Sequence, residues 1–433
     1  MLIEPRVLVV AARDDMAGPL CQGLDGLGWS TVTARTRGAA AQALSDLRLD
    51  AVILDARDPG LEGLAFDLRK VASPRHLSIL AIGDLDQQAA NEVDLVMSRP
   101  LHPVQTALRL NQLTRASIAE EEFSLRLETF ASHGVTLDVP ELSHPPLQIL
   151  TAGPADRRFL ALSNALTAGG AEVVAAPTPF TAFDYLHERS FDGVVLWSGD
   201  DIAPALSIAA GMKRNTRLYH IPLTLCLNRP EEALQDIFNR GVADVAAVGT
   251  PEEDTAERVI ALARNHRRRK AIRMALDSVR GSVLVDAATG LFTPELFAAH
   301  LARVTEGARQ RSRPVCVCVL RVPQSEALVQ ARPSGWLQAA LPQVGAMISR
   351  LVRVEDTAAR LGPELFALIL PAVTEAEARL AAERIAAVIG CTAFEAGEGR
   401  SPFVIELEIG VGQARAGETP AVMLERASAD LGS

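Results

Sequence analysis

Residues 353–371 read Arg353-VEDTAARLGPELFALIL-Pro371. Apolar runs lie on either side of Leu361-Gly362-Pro363-Glu364, and the Gly-Pro pair punctuates them as a turn. The stretch therefore predicts a β-hairpin feeding a strand from Leu365 to Pro371. A second strand is expected at Val315-CVCVL-Arg321 and a closing one at Phe403-VIELEIGV-Gly412. Helical patterns fill the gaps, from about Pro294 to Arg309, Trp336 to Val352 and Thr374 to Ile389. The last third of the chain thus reads as a mixed α/β domain with an antiparallel component.

Working back towards the start, the pattern changes. Short β-rich runs at Arg6–Ala11, Ala51–Asp55 and Ser78–Gly83 alternate with longer amphipathic segments, which predicts a parallel sheet wound on both faces. A flavodoxin-like strand order would gather the carboxyl ends of strands one and three into one crevice. The block then recurs. Phe191-DGVVL-Trp197 repeats Leu49-DAVIL-Asp55, Ile221-PLTLCL-Asn228 repeats Leu77-SILAI-Gly83, and Leu147-QIL-Thr151 opens the second copy. A repeat of this length is a duplicated domain rather than a solenoid. The charged linker Ala119-EEEFSLRLETF-Ala131 is helix-prone, and Thr255 to Val279 reads as one long helix carrying Arg267-Arg268-Arg269-Lys270. That basic cluster fits a solvated helix face near the helix end.

Composition narrows the function. The formal net charge of -10 argues against general attraction to nucleic acid or an anionic membrane. Five cysteines form neither a paired framework nor a metal-ligand spacing and are expected to be reduced thiols. No signal peptide is expected from the first residues, and no apolar run reaches bilayer length. A soluble, cytoplasmic protein is expected.

The stretch Leu54-Asp55-Ala56-Arg57-Asp58-Pro59-Gly60-Leu61-Glu62-Gly63 resembles the acceptor strand and loop of response-regulator receivers. The resemblance makes Asp55 the candidate phospho-acceptor. Phosphoryl transfer to a carboxylate needs a divalent ion held by further carboxylates. The receiver's acidic pair falls at Ala11-Ala12, with Asp14 and Asp15 three residues late; the hydroxyl position is Gly83 and the lysine position Arg99. In the second copy Trp197 occupies the acceptor position, Thr151-Ala152 the acidic pair and Val248 the lysine position. That copy resembles a degenerate receiver and is expected to serve as an interface or spacer.

The last block resembles diguanylate cyclases. Their glycine-glycine-acid-acid-phenylalanine (GGDEF) signature corresponds to Gly362-Pro363-Glu364-Leu365-Phe366, and Ala288-TGLF-Thr293 resembles the family's opening motif. In that family two metal ions hold the GTP phosphates. The corresponding ligand positions are Arg321, Pro323 and Glu364, of which only Glu364 keeps a carboxylate. Pro363 replaces the glycine that lets the backbone approach the triphosphate. The family's lysine and its guanine-reading asparagine and aspartate fall at Glu326, Val329 and Gln338. Catalysis is not expected, and an Arg321–Glu364 ion pair is expected to fill the vacated metal site.

The inhibitory site of the family is retained. Arg353-Val354-Glu355-Asp356 matches its Arg-x-x-Asp, and Arg384 falls where the family has a supporting arginine. A guanidinium can give paired hydrogen bonds to guanine O6 and N7 or grip a phosphate, and a carboxylate accepts from guanine N1-H and the amino group. The resemblance implies cyclic di-GMP as ligand at Arg353, Asp356 and Arg384, with Arg157, Arg158, Arg303 or Arg309 supplying a second subsite. Arg189-Ser190-Phe191-Asp192 fits the same pattern at a strand start.

The expected organisation is two flavodoxin-like (CheY-like) receiver domains followed by a mixed α/β GGDEF (nucleotidyl-cyclase-like) domain. Receiver 1 covers residues 1–120, a helical linker 121–145, the degenerate receiver 2 with its stalk helix 146–273, and the degenerate GGDEF domain 283–433. Degenerate members with this order imply a cyclic di-GMP effector in cell-cycle control, recruited to a cell pole, homodimeric, and presenting substrates to the ClpXP protease through an adaptor. No cofactor is expected beyond the ligand. Two alternatives remain, a phosphorylation-gated scaffold with a silent cyclase domain and a weakly active diguanylate cyclase.

Overall fold

The computed structural model describes residues 5–58, 63–83, 85, 87–97, 101–138, 145–199, 201–215, 217–229, 234–279, 281–397 and 400–431. These form two compact units. One takes residues 5–117 and 145–271, the other residues 118–138 and 272–431. Two helices, Pro103–Ser132 and Glu252–Ser278, contribute residues to both.

The first unit holds two parallel sheets. Strands β1 (Arg6–Val10), β2 (Ser30–Ala34), β3 (Ala51–Asp55), β4 (Ser78–Ile82) and β5 (Leu95–Met97) lie in the order β2-β1-β3-β4-β5. Strands β6 (Leu147–Ala152), β7 (Ala171–Ala176), β8 (Gly193–Trp197), β9 (Leu223–Cys226) and β10 (Asp244–Ala246) repeat it as β7-β6-β8-β9-β10. This is the flavodoxin-like order. The central strands β1, β3, β4 and β8 are buried on both faces, which is why they read as nearly unbroken apolar runs. In the first sheet Val7 and Val9 pack towards the helix Asp14–Asp25, while Leu8 and Val10 pack towards Arg37–Asp46 and Leu64–Ala72.

The duplication extends to polar detail. Asp50 Oδ2 accepts from Arg6 N at 3.0 Å, and Asp192 Oδ2 accepts from Gln148 N at 2.9 Å. In both copies the aspartate preceding the third strand satisfies an amide at the start of the first strand. A buried cluster adds a tie at β10. Asp244 Oδ2 lies 2.7 Å from Arg109 Nη2 and 2.9 Å from Arg258 Nε, and all three side chains are nearly inaccessible.

The second unit is built on one antiparallel sheet, β12-β13-β11-β14, from β11 (Val315–Arg321), β12 (Thr357–Gly362), β13 (Leu365–Pro371) and β14 (Glu408–Gln413). Alternation along β11 sends Cys316, Cys318 and Leu320 towards the helices Trp336–Leu351 and Glu375–Gly390. Val315, Val317 and Val319 face Pro294–Gln310 and Pro420–Ala429. Each fully buried side chain of this kind contributes about 1.5–3 kcal/mol. The closing strand starts at Glu408, five residues later than the sequence suggests. Its partner β11 ends at Arg321, opposite Glu408, so Phe403–Leu407 have no strand to pair with beyond an isolated Phe394–Phe403 bridge.

Residues 118–138 and 272–279 pack on this domain through Phe123, Phe130, Ile272 and Ala275 around Leu296. Under that apolar seam, Glu122 Oε1 lies 2.6 Å from His300 Nε2, and Thr129 Oγ1 lies 3.0 Å from His300 Nδ1. His300 and Arg126 hold the Glu122 carboxyl below the usual carboxylate range against the opposing effect of burial.

Candidate functional site

After the helix Trp336–Leu351, residues 353–356 make a single turn before β12. Arg353 N donates to Asp356 Oδ2 at 2.8 Å and Asp356 N to Arg353 O at 3.2 Å. This reciprocal pair sets the i, i+3 spacing and presents both side chains to one cleft. Its charged lining is Arg126, Arg273, Asp277, Arg353 and Asp356, with Leu291, Phe292 and Val352 among the apolar residues. The cleft encloses about 90 Å³, far less than the ~300–1,000 Å³ of pockets that engulf a ligand. A ligand would lie across its mouth, within reach of the arginines.

The Asp356 carboxyl is pushed up to about 6, first by burial and then by the neighbouring Glu355 carboxylate, against the pull of Arg353 and Arg126. Arg353 is exposed, and its guanidinium has no ion pair or hydrogen bond among the described residues. The buried Arg126 is spent on the turn itself: Nη1 donates to Val354 O at 2.7 Å and Nη2 to Asp356 O at 2.8 Å. Arg273 is exposed at the rim.

Of the residues singled out by sequence, the structure brings Arg353 and Asp356 into the cleft. Arg384 lies exposed on the helix Glu375–Gly390 and is not among the lining residues. Arg157 is exposed on the helix Arg157–Ala168, and Arg158 beside it binds Glu252 at 2.9 Å and stacks over Trp197. Arg303 reaches Glu128 at 3.4 Å, and Arg309 pairs with Glu306 at 2.7 Å. The second Arg-x-x-Asp match is consumed structurally. Asp192 accepts from Gln148 N and pairs with Arg267, while Arg189 stacks on Tyr185. Sequence reasoning missed Arg126 and Arg273. Each sits in a helix far from the signature, and only an apolar neighbour at i+4 (Phe130) or i+3 (Leu276) hints at a face turned to the domain.

The expected Arg321–Glu364 pair is not what forms. Arg321 binds Glu408 with Nε and Nη2 at 2.8 and 2.6 Å, because β14 places Glu408 directly opposite. Glu364 is held by Arg332 through Nε and Nη2 at 2.7–3.0 Å, and Arg332 also donates to Pro323 O. Arg360 braces the hairpin by donating to Gly362 O and Pro363 O and reaching Asp286 at 3.4 Å. The Glu364 carboxylate, expected at a metal position, is thus paired with a guanidinium, and Arg321 brings a second guanidinium to β11. This donor set does not fit a pair of divalent ions. Among the described residues no cluster of His, Cys, Asp or Glu could hold a metal.

In the first parallel-sheet copy Asp55 ends β3 and is buried. Its carboxylate is covered by Arg57, which donates from Nε and Nη2 at 2.8–3.3 Å and from its amide at 3.2 Å. Asp58 Oδ2 accepts from Ala12 N at 2.5 Å. Arg99, Pro59–Glu62 and the side chains of Asp14 and Asp15 lie outside the described residues. In the second copy Trp197 fills the corresponding crevice, its Cβ so close to Gly153 that a Cβ there would come within 2.6 Å.

The antiparallel sheet, its hairpin and the flanking helices form a mixed α/β domain. Residues 283–432, roughly a third of the chain, match the family model described as diguanylate cyclase, GGDEF domain, and this part of the chain is a GGDEF domain. Similar solved structures include the GGDEF domain of DgcB from Caulobacter crescentus in complex with c-di-GMP (22% identity, 34% of this chain and 85% of that one, TM-score 0.32). The FimX GGDEF domain from Pseudomonas aeruginosa is 21% identical over 34% of this chain and 90% of that one, TM-score 0.31. The diguanylate cyclase SiaD with its activator SiaC, also from Pseudomonas aeruginosa, is 19% identical over 46% and 70%, TM-score 0.32. No curated protein sequence matches the chain. Among the described residues no helix is long and apolar enough to cross a membrane.

Proposed function

We propose that this chain is a cyclic di-GMP effector, a scaffold that binds the dinucleotide at the Arg353–Asp356 turn and makes none of it. One observation carries the reading. The turn offers an uncommitted guanidinium and a carboxylate in one cleft, while the signature carboxylate Glu364 is tied up by Arg332. Arg353 reads a guanine edge and Asp356 accepts from its N1-H and amino group, the pairing chemistry of guanine recognition.

The same reading assigns receiver domains to residues 1–120 and 146–273. With Arg57 seated on Asp55, the first works as a fixed module, not a phosphorylation gate. The whole resembles PopA, a PleD-like protein, and that resemblance is the ground for placing the chain in cell-cycle signalling as a homodimer at a cell pole, with a ClpXP adaptor as partner.

Calorimetry with cyclic di-GMP on the full chain tests it. Micromolar binding to wild type, lost in Arg353→Ala, is expected. Absence of heat with wild type would refute the proposal, and cyclic di-GMP formed from GTP and magnesium would return the chain to the cyclases.

A further inference from the structure

We infer that Arg273 is a second ligand-recognition residue of this cleft, and that it takes a phosphodiester oxygen of the nucleotide. The inference rests on the reading of the Arg353–Asp356 turn as the guanine site and extends it to a helix outside the GGDEF domain match.

Arg273 lies near the end of the helix Glu252–Ser278. Its neighbours Ile272 and Ala275 are buried against Leu296, so the helix is anchored in rotation and Arg273 cannot swing to another face. The i, i+3, i+4 set Arg273, Leu276 and Asp277 lines the cleft together, as residues on one helical face must. Arg273 has no ion pair or hydrogen bond among the described residues. Like Arg353, it offers all its donors to whatever enters.

The two guanidinia face different demands. Arg353 stands three residues from Asp356 on the same turn, a spacing suited to one guanine edge. Arg273 comes from another element, and although Asp277 lines the cleft one turn further on, the two form no ion pair with each other. A cyclic dinucleotide carries two phosphodiesters between its guanines, each with one negative charge. A guanidinium fork matches such an oxygen pair better than an ammonium does. Leu291 and Phe292 also line the cleft, and apolar neighbours strengthen a charge-assisted bond.

The test is titration calorimetry of the full chain with cyclic di-GMP for wild type, Arg353→Ala, Arg273→Gln and Arg273→Lys, with thermal melts alongside. Arg273→Gln is expected to weaken binding about tenfold at unchanged Tm, and Arg273→Lys about threefold because charge survives without the fork. Wild-type affinity in Arg273→Gln, with Arg353→Ala still losing the ligand, overturns this inference and leaves the guanine site standing. Failure of wild type to bind overturns both. Equal loss in the Gln and Lys variants with a lowered Tm marks Arg273 as a packing residue and also overturns the inference.

Discussion

Asp356 combines two requirements that conflict. In the proposed role of guanine acceptor it must be ionised, yet burial and Glu355 raise its carboxyl to about 6. A raised folded-state value means the native chain holds the proton more tightly than the unfolded one, so this residue's stability contribution is present at low pH and is lost as pH climbs through about 6. Ligand affinity runs the other way. If only the carboxylate binds, the site at pH 5 is about one-tenth ionised, and cyclic di-GMP should bind roughly tenfold more weakly there than at pH 7.5. Calorimetry at the two pH values checks this, and a flat profile would mean that Asp356 takes no part. Asp356→Asn should raise Tm at pH 7.5, because the amide can keep the bond from Arg353 N without a buried charge, while weakening binding by about 1–3 kcal/mol. Asp55 makes the complementary case. Arg57 already binds the Asp55 carboxylate, so acetyl phosphate with magnesium should leave wild type unphosphorylated on a Phos-tag gel. A shifted band in wild type, absent from Asp55→Asn, would show that the guanidinium yields to metal.

At the level of elements, the hairpin, the long strands and most helices were legible because their periodicity is local: Trp336–Leu351 and Glu375–Gly390 sit within a residue of the expected limits. The extent of β14 was not legible, since the length of β11 decides it. Neither were the second strands of the two parallel sheets. Ser30–Ala34 is only partly buried and reads as polar alternation, and Ala171–Ala176 is rich in alanine. The cleft was half legible. Arg353 and Asp356 are neighbours in sequence, whereas Arg126 reaches Val354, between them, from 228 residues away. Through that arginine the helix Pro103–Ser132 holds the Arg353–Asp356 turn, with Glu122 behind it at 3.5 Å. Arg126→Met would keep most of the packing volume but leave Val354 O and Asp356 O without donors and Glu122 with less positive charge. A loss of about 1–3 kcal/mol in stability is expected, with weaker ligand binding as the turn loosens. Arg126→Lys should recover little, since one ammonium replaces a fork that reaches two carbonyls. Urea melts and titrations on both variants measure this, and wild-type values for Arg126→Met would show that the turn stands unaided.

On the scale of the whole molecule, the duplication was visible because both copies keep the same apolar strand and the same aspartate before it. What joins the copies inside their compact unit was not visible. Asp244 opens the short strand β10 in one copy, Arg109 sits on a helix after the other, and nothing in their spacing connects them. Together with Arg258 they form a buried group in which two guanidinia share one carboxylate, aided by Gln105 Nε2 donating to Asp244 Oδ1 at 2.8 Å. Arg109 and Arg258 keep the Asp244 carboxyl below its ordinary range despite burial. A depressed folded-state value gives stability that is present above the unfolded value near 3.8 and is lost as pH falls through the folded one. Asp244→Asn removes the only charge that offsets two buried cations within this group, and breaking a buried pair in this way costs about 3–5 kcal/mol. For a unit of this size that is a fall in Tm on the order of 10 °C. The acid limb of the Tm-against-pH curve should flatten, because one proton-linked group is gone. The triple change Arg109→Met, Asp244→Leu, Arg258→Met separates charge from packing: removing all the charges together should restore much of the lost stability. Circular dichroism melts of the full chain from pH 3 to 7.5 give all three readings. A single variant as stable as wild type would mean that the two sheets are held together by their apolar contacts alone.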